Sequence, residues 1–134
     1  MFSIDHLGIA VKSLEQAKQF YQSMGLEVRF EEVSEREKVR LAMLPIGESR
    51  IELLEPTSDD SAVAKFLAKR GEGLHHVALH VENLPAMVEK MKKAGTRFIS
   101  EEIKIGAGGH AYVFIHPAST GGVLLELVSE PAKG

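Results

Sequence analysis

Two histidines and two glutamates occupy equivalent places in a sequence that repeats itself. Ile4-Asp5-His6-Leu7-Gly8-Ile9-Ala10-Val11 returns about 70 residues later as Leu74-His75-His76-Val77-Ala78-Leu79-His80-Val81, the signature of an internal duplication. Each copy also contains a later apolar strand with one glutamate inside it, Ile51-Glu52-Leu53-Leu54 and Leu124-Leu125-Glu126-Leu127. One strand histidine alone would be read as structural, but a carboxylate within an apolar strand is costly unless something compensates its charge. Two imidazole nitrogens and two carboxylate oxygens suit a borderline divalent ion such as Co²⁺, Ni²⁺, Mn²⁺, Fe²⁺ or Zn²⁺, with positions left for water or substrate. His6, Glu52, His76 and Glu126 are therefore the expected ligands of one metal ion, its identity open.

Strand parity sets which side chains can meet. Leu7, Ile9 and Val11 alternate with His6, Gly8 and Ala10, and Val77, Leu79 and Val81 alternate with His76, Ala78 and His80. The bulky set should pack on a helix, and the histidines should point to the opposite, concave face. A helix is expected over 13 to 24, opened by Ser13 and Gln16, stopped at Gly25, and burying Leu14, Ala17, Phe20 and Tyr21. Strands are expected near 26 to 33, 38 to 45 and 49 to 55. Ser58 or Ser61 should cap a linking helix that Gly71-Glu72-Gly73 stops. A second helix from Asn83 to Gly95 and strands near 97 to 104, 110 to 116 and 122 to 129 complete the repeat. The expected fold is α+β: one domain over 1 to 134, with module one at 1 to 57, the linking helix at 58 to 73 and module two at 74 to 134. Two paired βαβββ modules would form a curved eight-stranded sheet around a metal cavity.

Composition narrows the function classes. The 134 residues are 44% hydrophobic and 26% charged with net charge −3, enough apolar content for a core and no basic block for nucleic acid. The absence of cysteine excludes disulfides, thiolate ligands and a cysteine nucleophile. No signal-peptide pattern or membrane-length apolar run is present, so a cytoplasmic protein is expected.

Other candidates carry less. His75 has the wrong parity for the cavity, His110 lies by a glycine-rich turn, and His116 before Pro117 should punctuate a hairpin. His80 has the cavity parity and is a candidate substrate contact. Gly106-Ala107-Gly108-Gly109 precedes a strand rather than a helix, so it is not a dinucleotide fingerprint. Its backbone N–H groups, at Gly106, Gly108 and Gly109, could contact a phosphate or thioester oxygen with Lys104 alongside. Lys65, Lys69 and Arg70 read first as a solvated helix face.

Taken together, the two histidine strands, Glu52-Leu53-Leu54-Glu55-Pro56, Ser61-Ala62-Val63-Ala64-Lys65-Phe66-Leu67, Gly71-Glu72-Gly73-Leu74-His75-His76-Val77-Ala78, Glu102-Ile103-Lys104-Ile105-Gly106, His116-Pro117 and Gly122-Val123-Leu124-Leu125-Glu126-Leu127 resemble the vicinal oxygen chelate (glyoxalase/bleomycin resistance/dioxygenase) superfamily. Within it the text is most similar to the methylmalonyl-CoA epimerase family, and the match covers essentially the whole chain. The resemblance implies an isomerase: a divalent metal, an acyl-CoA substrate, proton removal at C2 through an enolate, and reprotonation on the other face. It also implies Glu126 as ligand and proton carrier, and a homodimer. The ligand set alone does not separate this family from a glyoxalase I type lactoylglutathione lyase, although the intervening text does; a non-enzymatic small-ligand-binding relative is a third reading, and it would tend to lose metal ligands where this chain keeps all four. Some epimerases carry a further glutamate where this chain has Leu41, so the group on the second face is open among Glu52, His80 and a bound water.

Overall fold

The computed structural model describes residues 2–130, with the element order of two βαβββ modules joined by a helix. The first module is β1 (Ser3–Ala10), α1 (Leu14–Ser23), β2 (Phe30–Ser34), β3 (Val39–Ile46) and β4 (Ser49–Pro56). The linking helix is α2 (Ala62–Arg70), and the second module is β5 (Gly73–His80), α3 (Leu84–Lys93), β6 (Lys104–Ile105), β7 (Ala111–Ile115) and β8 (Leu125–Ser129). None of the described helices is long and apolar enough to cross a membrane.

The described residues fall into two compact units. One is His6–His75, and the other combines the start of β1 with the chain from His76 onward. In the first, the strand order is β2-β3-β4-β1, with β1 and β4 parallel and the others antiparallel. In the second, it is β5-β8-β7-β6, again with one parallel pair, β5 and β8. The repeat seen in sequence is thus a repeat of pairing.

Each unit buries its bulky strand face under a helix. In the first, Leu14, Ala17 and Tyr21 of α1 meet Ile9, Ala42, Leu44, Ile51 and Leu53. In the second, Leu84, Met87, Val88 and Met91 of α3 meet Leu79, Val113, Ile115, Leu125 and Leu127. The helices begin where side chains accept otherwise orphaned N–H groups. Ser13, Ser61 and Asn83 accept from Gln16, Ala64 and Ala86, each cap worth about 1 kcal/mol. A further acceptor comes from outside the helix, since Glu55 Oε1 takes the Leu14 N–H at 2.9 Å. Gly25 and Gly95 follow the helix ends at φ +102° and +90°, where an L side chain is strained.

The structure corrects the sequence reading in three places. Phe20 is 62% exposed, so the buried stripe of α1 turns through Tyr21 instead. The segment 97 to 104 is not a full strand: only Lys104–Ile105 pairs with β7, and Phe98 makes one isolated bridge to Ile115. Ser119 Oγ takes the Arg97 N–H and Ser100 Oγ the Glu102 N–H, so side chains satisfy backbone groups that a ladder would otherwise hold. β2 and β8 begin later than expected, at Phe30 and Leu125; Leu26 and Val28 still pack on the core without strand pairing.

Candidate metal centre

Glu52 and Glu126 each stand in the middle of a short row of strands. Glu52 has Gly8 on one side and Met43 on the other in the register, and Glu126 has Ala78 and Phe114. A small residue next to each carboxylate leaves room for it, while the larger neighbour walls it from water. Two residues before Gly8 and Ala78 are His6 and His76, on the same strand faces.

The consequence is one buried histidine and glutamate pair in each unit. His6 Nε2 lies 3.4 Å from Glu52 Oε1, and His76 Nε2 lies 3.1 Å from Glu126 Oε1. Exposure is 4% at His6, 6% at Glu52, 5% at His76 and 8% at Glu126, so all four are among the few buried polar groups of the described residues. A charge-assisted hydrogen bond runs about 2.7–2.9 Å. Adjacent donors about 2.1 Å from a shared ion are about 3.0–3.4 Å apart when their angle is 90 to 110°. Both pairs have the second spacing. Each pair offers one imidazole nitrogen and one carboxylate oxygen, the donor chemistry that suits a borderline divalent metal, so the residues present fit such an ion.

Aromatic rings back the second pair. Phe114 meets His76 edge-on at 5.4 Å and 90°, and Tyr112 meets Phe114 at 5.8 Å and 80°. Tyr112, only 6% exposed, packs with Ala78 and Val128. These two rings escaped the sequence reading, although their alternation in 111 to 115 placed them on one strand face. Leu41, 3% exposed, has Leu54 as its partner on the strand face shared with Glu52 and Met43.

The glycine loop and the remaining histidines have distinct places. Gly106 is fixed by Tyr112, whose Cε1 would lie 2.7 Å from an added Cβ. Gly108 and Gly109 take positive φ in the short turn Ala107–Gly109, which His110 closes through its Nδ1 and the Ala107 carbonyl at 3.2 Å. Lys104 is the β6 partner of Tyr112, and His80 the β5 partner of Val128, so both belong to the next row beyond Glu126. His75 packs edge-on against Phe66 at 5.1 Å. His116 accepts the Ala118 N–H through Nδ1 and starts a single helical turn.

Comparison with known proteins agrees with this architecture. Residues 5–114 match the family model described as the glyoxalase/bleomycin resistance protein/dioxygenase superfamily. The human mitochondrial methylmalonyl-CoA epimerase is 40% identical over 126 residues, which are 92% of this chain and 72% of that protein. A Streptomyces coelicolor methylmalonyl-CoA epimerase variant in complex with 2-nitronate-propionyl-CoA superposes with TM-score 0.93 at 42% identity, covering 97% of this chain and 95% of that one. A methylmalonyl-CoA epimerase in complex with methylmalonyl-CoA and NH₄⁺ superposes with TM-score 0.92 at 43% identity, over 96% and 94% of the two chains. By sequence and by fold, the chain belongs to the glyoxalase/bleomycin resistance protein/dioxygenase superfamily.

Proposed function

We propose that this protein interconverts the (R) and (S) C2 epimers of methylmalonyl-CoA. The observation that carries the reading is the pair of buried His–Glu couples, at repeat-equivalent positions, in a chain whose relatives include methylmalonyl-CoA epimerases. The substrate's C2 hydrogen lies between a thioester carbonyl and a carboxylate, so removing it leaves an enolate that needs charge stabilisation. His6, Glu52, His76 and Glu126 would hold one divalent ion, which supplies Lewis-acid stabilisation of that charge when bound. Glu126 directs Oε1 toward His76, and its carboxylate would exchange the proton with C2. Glu52 is the repeat-related carboxylate and the one buried carboxylate of its unit, which makes it the favoured proton carrier for the opposite face where Leu41 offers none. Phe114, Tyr112 and Met43 keep water from both. The outer row of His80 and Lys104, with Gly106, Gly108 and Gly109, suits contact with the thioester and its carrier.

Exposed apolar side chains such as Ile4, Leu74 and Val123 favour a homodimer, and light scattering at micromolar concentration should give twice the chain mass. The reaction itself is tested by proton NMR of methylmalonyl-CoA in D₂O. The C2–H signal should exchange with the metal-loaded protein, and exchange should stop after chelation or in His76→Ala. Methylglyoxal with glutathione serves as the comparison substrate; turnover there without C2–H exchange would replace the epimerase with a lyase of the same superfamily.

A further inference from the structure

The strand face that carries His76 and Glu126 is apolar immediately beside the carboxylate. Ala78, Glu126 and Phe114 form one row across β5, β8 and β7, and His80, Val128 and Tyr112 form the next, two residues and about 7 Å further along the strands. The opposite face of these strands, through Leu79, Leu127 and Val113, belongs to the core under α3. Ala78, Val128 and Tyr112 pack into one cluster with Phe114 against it, and Ala78 is 0% exposed although it offers only a methyl group. Space that a larger residue would fill at position 78 is thus taken up by its neighbours, of which Tyr112 is the bulkiest. Its ring has little freedom. Gly106 lies against one edge, where an added Cβ would come within 2.7 Å of Cε1 and 3.0 Å of Cδ1, and Phe114 meets the ring at 5.8 Å and 80°.

On the epimerase reading given above, on which this assignment rests, C2 of the substrate carries a hydrogen, a thioester, a carboxylate and a methyl group. With the hydrogen toward Glu126 and the two oxygen-bearing arms toward polar donors, the methyl group is left for the apolar neighbours of that carboxylate: Ala78, Phe114 and Tyr112. We propose that Tyr112 is a specificity-determining residue that limits the C2 substituent to a methyl group. The small side chain of Ala78 accommodates the methyl beside Glu126, and the Tyr112 ring closes the row beyond it. A ring held from two sides is a wall that does not yield to one more methylene group without strain, so an ethyl substituent meets it.

Methylmalonyl-CoA and ethylmalonyl-CoA are placed in one D₂O solution, and the C2–H quartet of the first and triplet of the second are followed together by proton NMR. The ratio of their exchange rates is then independent of how much of a variant is folded. The wild type should favour methylmalonyl-CoA at least about 10-fold, the lower end of what one methylene group costs in a hydrophobic pocket. Tyr112→Val should bring that preference below about 3-fold, and Tyr112→Leu, a smaller loss of packing, should lie between. Tyr112→Phe keeps the ring without its hydroxyl and should preserve the preference. Equal exchange of both substrates by the wild type, a preference unchanged in Tyr112→Val and Tyr112→Leu, or one lost in Tyr112→Phe overturns the proposal while the epimerase reading stands. No exchange of either substrate by the metal-loaded wild type overturns that reading, and the size limit with it.

Discussion

Phe114 is the cross-strand partner of Glu126, one strand over in β7. The same ring meets His76 edge-on at 5.4 Å, so a single aromatic side chain braces both members of a buried pair. The positive ring edge and negative ring face make this arrangement worth about 0.5–1.5 kcal/mol beyond the area buried. Phe114→Ala should therefore cost about 3 kcal/mol of stability and also loosen the imidazole. Metal titration should show weaker binding by about 10-fold, as removal of a group that orients a ligand commonly does. Phe114→Leu, which restores bulk without the ring, should recover most of the stability and less of the affinity.

Glu126→Gln separates binding from proton transfer. The amide keeps an oxygen donor but cannot carry the C2 proton, so turnover should fall at least about 100-fold while some metal is retained. Deuterium wash-in, followed separately from each C2 epimer, measures the loss on each face. Leu41→Glu is the complementary change. Leu41 is 3% exposed, so burying a new carboxyl group there should lower the melting temperature. It should raise exchange from one epimer only.

Gly106 tests the seat of the glycine loop. Its φ of −121° is open to any residue, so the constraint is steric and comes from Tyr112 Cε1, 2.7 Å from an added Cβ. Gly106→Ala should destabilise the fold by about 1–3 kcal/mol through overpacking. Tyr112→Leu in the same chain should relieve part of that loss, which a double-mutant cycle in chemical denaturation will read as coupling. Raised KM with a smaller change in kcat would mark the loop as a binding element.

Asp60 predicts an acid limit. Hydrogen bonds from Lys38 and then Ser58 hold its carboxyl down to about 2 from 3.8. The folded value lies below the unfolded one, so the stabilisation is present above pH 3.8 and is lost as pH falls toward 2. Asp60→Asn should flatten the stability profile between those values and leave it unchanged at neutral pH apart from a constant offset. The group is exposed, so salt should shrink the effect.

Much of this architecture is a property of local text. Period-two alternation put His6 with Gly8 and His76 with Ala78 on one strand face, and the repetition of that alternation marked the modules. Ser13, Ser61 and Asn83 announced three helix starts because capping involves residues only three apart. The burial of His6, Glu52, His76 and Glu126 was legible for the same reason: each stands among apolar neighbours of fixed parity.

Which histidine meets which glutamate was not legible, because it depends on the parallel registers Gly8 with Glu52 and Ala78 with Glu126, contacts between segments far apart in the chain. The same holds for Phe20, whose exposure is decided by where α1 lies on its sheet, and for 97 to 104, where Ser100 and Ser119 take backbone N–H groups from the ladder. Tyr112 against Gly106, and Glu130 against His80 and His110, likewise exist only after β7 and β8 are in register. A residue's own sequence neighbours fix the face it occupies; its contacts across the sheet are fixed by register and packing, which only the folded chain decides.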